Sequence, residues 1–302
     1  MEIANQSSEN DAVVQIWAKA SSGGVMNSQR FRIVQNANGS YRMLSYASNY
    51  TKAVVVKNGS TAEGWGIVQY TDNGSTNGHW YFEPANKTVN TNLNASANSI
   101  YNREWAANYA IKYGPSPNPD YEYFGGDGGD CTNFVSQCIC AGTLPMRPVE
   151  PGWGITDKSN VENWFYINGL LGEYDWISVS FTSATNFNKH WGQPNMRAYQ
   201  TIEYSSGNEA LKDIDFLLWY LKNGDVIQLK KENGTLWHSM IICDDDAICD
   251  GAHLNITNSC PNTGKKEIIY AQHSGNYNSG HLRALLKDRA DRIVFIKIKK
   301  DI

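Results

Sequence analysis

Two patterns of apolar and polar positions divide the chain. Up to residue 88, apolar residues come in short β-prone runs: Val13–Trp17, Phe31–Val34, Ala53–Val56, Gly66–Tyr70 and Trp80–Phe82. The dipeptides Asn38-Gly39, Asn58-Gly59 and Asn73-Gly74 fall between them. Short runs punctuated by Asn-Gly turns predict strands and hairpins, hence an all-β module over residues 1–88. Residues 89–99 are polar and low in complexity, which predicts a linker. From residue 100 the pattern changes. Tyr101–Gly114, stopped by Pro115, and Asp130–Ala141, closed by Gly142, predict helices, with a third at Ile214–Leu221. Apolar runs at Val226–Leu229, Leu236–Ile242, Ile268–Gln272 and Ile293–Ile298 then predict strands. Helices followed by an antiparallel meander make residues 100–302 an α+β domain.

The N-terminal module also carries a faint repeat. Val13-Val14-Gln15 precedes Gln29-Arg30-Phe31, and Ile67-Val68-Gln69 precedes Gly78-His79-Trp80. This resembles the ricin-B-type lectin family, whose three repeats each end near Gln-x-Trp. One copy here has Phe31 in place of Trp, the other has Gly78 in place of Gln, and the span holds two repeats. The resemblance implies a partial β-trefoil-like module with carbohydrate as a partner. A small β-domain with buried aromatics fits the same residues equally well.

Composition removes several functions. With 302 residues, 41% of them hydrophobic and 19% charged, the chain can bury a core. A net charge of −4 argues against nucleic acid as a partner, since phosphate binding needs clustered basic excess. No run approaches the roughly 18–20 apolar residues of a membrane helix. The first twenty residues hold neither a basic start nor an apolar signal core. The expectation is a secreted or cell-wall-associated protein lacking its signal segment, or a cytoplasmic one.

The segment Gly125-Gly126-Asp127-Gly128-Gly129-Asp130-Cys131 brings a cysteine to the start of an apolar helix. There the unpaired N–H groups and helix dipole favour thiolate over thiol, and Asp130 is suited to cap the turn. Such a cysteine beside an imidazole is a nucleophile at neutral pH, and the same N–H groups can hold an oxyanion. His238 near the beginning of its strand is the candidate base. On a plain alternating count it shares a face with Leu236, Met240 and Ile242. His273, on the next strand with Ile269 and Ala271, is the candidate to orient it across the ladder.

Asp-Cys-Thr-Asn-Phe-Val-Ser-Gln-Cys (130–138), the upstream Tyr-Asn-Arg (101–103) and Gly-Asp-Val-Ile…His-Ser-Met-Ile-Ile (224–242) resemble the Putative amidase domain family. That family lies in the papain-like superfamily of bacterial cysteine peptidases that includes the NlpC and CHAP domains. The resemblance implies a papain-like core, helices packed on an antiparallel sheet, with Cys131 as nucleophile and His238 as base and acid. It makes His273 the third residue, as in NlpC domains; should His273 be structural, Asn276 is the substitute. It implies hydrolysis of an amide in a peptide or peptidoglycan-type substrate without a cofactor. Tyr101 and Asn133 are candidate side-chain donors to the oxyanion, and Trp164 is either core or cleft wall. An acyltransferase using the same thioester, or a carbohydrate-binding adhesin on an inactive amidase-like scaffold, are the alternatives.

Of the remaining cysteines, Cys243, Cys249 and Cys260 border a loop rich in Asp and Asn, from Asp244 to Asn258. A disulfide or an oxygen-ligated cation suits that loop, whereas no CxxC pair supports zinc. His79, His190, His253 and His281 are expected to be surface or structural residues.

Overall fold

A computed structural model of the chain describes every residue except 19–26, 37–39, 63, 81–87, 92–99, 126–128, 170–173, 193–196, 250–263, 275–276 and 300–302. It divides into two compact units, Met1–Glu83 and Pro84–Ile302.

The first unit is all-β. Six strands, β1 (Glu2–Ile3), β2 (Ala12–Gln15), β3 (Phe31–Gln35), β4 (Tyr41–Ser45), β5 (Lys52–Val56) and β6 (Ile67–Thr71), pair antiparallel in the order β1-β2-β6-β5-β4-β3. After β5, Asn58 (φ 57°) and Gly59 (φ 64°) are both left-handed, the conformation that Asn-Gly accepts at least cost. Leu44, Ala53, Val55 and Val68 form the small core, and Val34 and Tyr50 pack against it. Trp80 bridges Tyr41 and donates from Nε1 to the Val54 carbonyl at 2.8 Å. The fully buried Gln69 amide ties the N-terminal segment down by donating to the carbonyls of Ser7 and Glu9. Strands β1 and β4 were not visible in the hydrophobic pattern. The Asn38-Gly39 turn and Phe82 lie outside the described residues.

The second unit begins earlier than residue 100. Thr88–Thr91 forms a strand, β7, paired antiparallel with β10 (Gln200–Tyr204), so the start of the expected linker belongs to a sheet. Residues 92–99 lie outside the described residues. The helices α1 (Arg103–Tyr113) and α2 (Cys131–Ala141) follow, then the small ribbon β8 (Tyr166–Ile167) and β9 (Trp176–Ile177). Next come α3 (Val179–Thr182), α4 (Ala184–Trp191), α5 (Gly207–Lys212) and α6 (Ile214–Tyr220). The chain closes through β11 (Val226–Lys230), β12 (Leu236–Ile248), β13 (Lys266–Ser274), β14 (Tyr277–His281), α7 (Leu282–Leu286) and β15 (Arg292–Lys297). The large sheet is antiparallel throughout, in the order β14-β13-β12-β11-β15-β10-β7.

Both faces of this sheet are covered, which explains its uninterrupted apolar strands. Along β15, Val294 and Ile296 join a core with Phe134, Val135 and Cys138 of α2 and Phe187 and Trp191 of α4. Ile293 and Phe295 join a second core with Leu217 of α6 and Leu282 and Leu286 of α7. A period of two applied to a strand buried on both sides therefore shows no polar face. The outcome is mixed helix and sheet after an all-β unit.

Candidate active site

Helix α2 delivers its first residue to the site. Gly129 (φ 111°) takes a backbone conformation costly for any residue with a Cβ, and Asp130 stands at the N-cap. The Asp130 carboxylate does not cap the helix as expected. It is buried and spent elsewhere: Oδ2 lies 2.6 Å from His273 Nδ1, while Oδ1 accepts from Asn133 Nδ2 at 2.8 Å and from the Phe124 N–H at 3.1 Å. The first-turn N–H groups of α2 are consequently not covered by that side chain.

Cys131 is 7% exposed and meets His238, itself 6% exposed. Burial alone would push the Cys131 thiol up. A hydrogen bond and the charge of His238, a main-chain hydrogen bond from Ser239 and the Thr132 hydroxyl outweigh that and bring it below the ordinary thiol value. His238 shifts in the complementary direction. Burial disfavours its charged form, but Cys131 and the Gln272 amide lift it above the ordinary imidazole value. Opposite shifts on one pair describe a site that favours thiolate and imidazolium together.

A β-bulge sets the imidazole. Leu229 pairs with His238 and Lys230 with Leu236, so Trp237 is an extra residue in β12. Its ring stacks on His238, centroids 5.5 Å apart at 29°, and its Nε1 donates to Asp291 Oδ1 at 3.2 Å. The bulge also breaks the alternating count. Leu236 packs in the α2-side core with Ile241, while Met240 and Ile242 pack on the opposite side.

The third position is a correction. His238 Nε2 is 2.6 Å from Gln272 Oε1, not from His273. Ile241 pairs with Ala271, so His238 and Met240 share the face of Gln272, and His273 lies on the other face with Ala271. There His273 stacks on Phe134 (4.0 Å, 18°) and places Nδ1 on Asp130 and Nε2 on the Tyr113 carbonyl at 2.7 Å. His273 thus ties α1, β13 and the start of α2 together. Asn276 lies outside the described residues.

Residues 100–295 match the family described as Putative amidase domain. The chain belongs to that family. Two Bacillus subtilis (strain 168) proteins share parts of it. Uncharacterized protein YhbB is 39% identical over 67 residues, 21% of this chain and 21% of that protein. Uncharacterized protein YjcM is 36% identical over 74 residues, 22% of this chain and 18% of that protein. The match thus spans about a fifth of either curated relative. Among solved structures, the designed 3-fold symmetric protein ThreeFoil is 27% identical over 28% of this chain and 59% of its own, with a TM-score of 0.25. A mosquitocidal holotoxin is 14% identical over 90% of this chain and 33% of its own, also with a TM-score of 0.25. Family membership supports a general amidase, hence hydrolase, role for the second unit.

The amidase domain places the other candidate residues away from the sulfur or uses up their donors. Tyr101 donates its hydroxyl to the Gly224 carbonyl at 2.9 Å, and a Cβ on Gly142 would come 2.3 Å from its ring. Gly142 closes α2 at the end opposite Cys131, about 16 Å away. Its neighbour Arg103 pairs with Asp225 at 2.7 Å, so the Tyr-Asn-Arg motif clasps α1 to the turn before β11. Asn133 donates from Nδ2 to Asp130 and to the Glu122 carbonyl, both 2.8 Å, which exhausts its N–H groups. Trp164 is fully buried and donates to Ser136, which makes it core and not cleft wall.

Cys249 is disulfide-bonded, whereas Cys243 is free. Cys260, His253, Asp250, Gly251, Asn255 and Asn258 lie outside the described residues. His190 and His281 are buried, and burial with the nearby Arg197 guanidinium drives His190 down to about 3, a neutral structural ring. Among the described residues, no group of three or more His, Cys, Asp or Glu side chains is arranged to hold a metal. No helix among them is long and apolar enough to cross a membrane.

Proposed function

We propose that the amidase domain is a cysteine amidohydrolase with a papain-like arrangement of helix and sheet. The observation that carries this reading is the pairing of Cys131, at a helix N-terminus, with His238, whose far nitrogen rests on Gln272. With Gln272 Oε1 accepting from Nε2–H, Nδ1 is left to face the sulfur. The Cys131 thiolate attacks the carbonyl carbon of an amide, and the developing oxyanion is held by first-turn N–H groups of α2. The His238 imidazolium gives its proton to the departing amine, leaving a thioester. Neutral His238 then takes a proton from water, and the resulting hydroxide attack on the thioester releases the acid and restores the thiolate–imidazolium pair.

The substrate class that fits the resemblance to NlpC and CHAP domains is a peptide or peptidoglycan-type amide. In this reading the N-terminal unit would hold the enzyme on glycan, outside the cell or at its wall. The test is digestion of purified peptidoglycan and of peptide amides, followed by release of new amino groups. Wild type should release them and Cys131→Ala should not. Equal release by both overturns the mechanism. Transfer to an added amine, with little hydrolysis, would instead identify an acyltransferase.

A further inference from the structure

A line of buried polar side chains runs from the core to the Cys131 sulfur. Gln228, Ser239 and Thr132 are all 0% exposed. Gln228 Nε2 lies 3.0 Å from the Ala184 carbonyl oxygen and 2.9 Å from Ser239 Oγ. Ser239 Oγ is 2.9 Å from Thr132 Oγ1, which is 3.7 Å from Cys131 Sγ. At the other end, Asn188 Nδ2 donates to Gln228 Oε1 at 2.9 Å.

The direction of every proton in this line follows from its fixed end. A carbonyl oxygen only accepts, so the end of Gln228 that faces Ala184 must be the NH2 group. One of its N–H groups goes to that carbonyl and the other to Ser239 Oγ. Ser239 has one proton, and with Gln228 donating to its oxygen that proton is directed at Thr132. Thr132, accepting from Ser239, turns its own proton toward the sulfur. A hydroxyl that donates to sulfur stabilises thiolate, whereas one that accepted from S–H would stabilise the thiol. The amide of Gln228, three hydrogen bonds away, selects between them.

We propose that Thr132 is a catalytic residue of this domain, its hydroxyl ordered by the positioning residues Ser239 and Gln228 to donate to Cys131 and hold the sulfur as thiolate. This rests on the cysteine mechanism above, and it adds an uncharged side-chain donor to the imidazole and the Ser239 main chain. The lowered Cys131 pKa, to which the Thr132 hydroxyl contributes, agrees with it.

The experiment is the pH dependence of Cys131 alkylation by iodoacetamide, followed on the Cys131 peptide by mass because the chain holds six cysteines. Thr132→Val keeps the volume and removes the donor; its midpoint should rise by about one pH unit. Thr132→Ser should restore the wild-type midpoint. Ser239→Ala keeps the Thr132 hydroxyl but frees its rotation, and its midpoint should rise by less. Wild-type midpoints in both folded Thr132→Val and Ser239→Ala overturn the assignment while leaving the nucleophile in place. Should Thr132→Val not fold, Ser239→Ala decides alone. An ordinary thiol midpoint in the wild-type protein would instead overturn the thiolate itself.

Discussion

The first turn and the later turns of α2 place cysteines in opposite electrostatic surroundings. Cys131 and Cys138 are both buried on one helix. Burial raises the Cys138 thiol well above the ordinary value, with the nearby Cys243 adding to the rise, and it takes Cys140 up to about 12. At Cys131 the same penalty is overcome by His238, the Ser239 main chain and Thr132. Desolvation thus sets no sign by itself. What separates the two thiols is the supply of donors and positive charge at one helix end. A second contrast lies at that same end. His238 is turned to the sulfur, whereas His273, on the adjacent strand, is locked between Asp130 and Tyr113 and is architectural.

The largest effect should come from breaking the first contrast. Cys131→Ser should take amide hydrolysis to background, while Cys138→Ala should keep turnover and lose only packing. Turnover lost equally in both folded variants would erase the distinction. His238→Ala should lower kcat by about 10²–10⁴. The second contrast is tested by His273→Ala, which leaves Asp130 Oδ2 buried without its partner while Oδ1 keeps Asn133 and Phe124. That change should cost about 1–3 kcal/mol in denaturant unfolding, yet leave the Cys131 alkylation midpoint near wild type. A midpoint returned to the ordinary thiol value would make His273 part of the catalytic pair. Gln272→Ala should give the smallest loss, roughly tenfold in kcat with little change in stability, since the ring is freed and not removed.

The pH response follows from the directions of the shifts. Cys131 is depressed, so its contribution to stability is complete above the unfolded thiol value of about 8.5 and is lost as pH falls through its lower folded value. His238 is raised, so its contribution is complete below about 6.5 and is lost as pH rises through its higher folded value. The two shifts run toward each other, so at intermediate pH they favour the thiolate–imidazolium pair over the neutral one. Hydrolysis plotted against pH should therefore be bell-shaped, its two limbs belonging to the pair and not to either residue alone.

Much of this arrangement could be read along the chain, and its failures have a common cause. Helix α2 was legible because Gly129, Asp130 and Gly142 punctuate an apolar run, and Cys131 falls at its start. His238 was legible as the histidine of an apolar strand following Gly224-Asp225. Gln272 was not, because a neutral amide carries no motif and its role depends on which face meets His238. Periodicity orders residues within one strand, but the pairing of Ile241 with Ala271 and the extra Trp237 are set between strands. The same applies to β7, an edge strand in a polar segment recognisable only through its partner β10. Helix α4 was hidden by its Asn- and Thr-rich sequence. The Ser183 cap and the Phe187–Trp191 face, buried against the sheet, hold it in place of intrinsic propensity.

The most direct measurement is the alkylation midpoint of Cys131 in wild type and in His238→Ala. The wild-type midpoint should lie below about 8.5, and removing the imidazole should carry it to that value or above. A wild-type thiol that already titrates like a free cysteine, or a midpoint indifferent to His238, would contradict an activated sulfur at the start of α2.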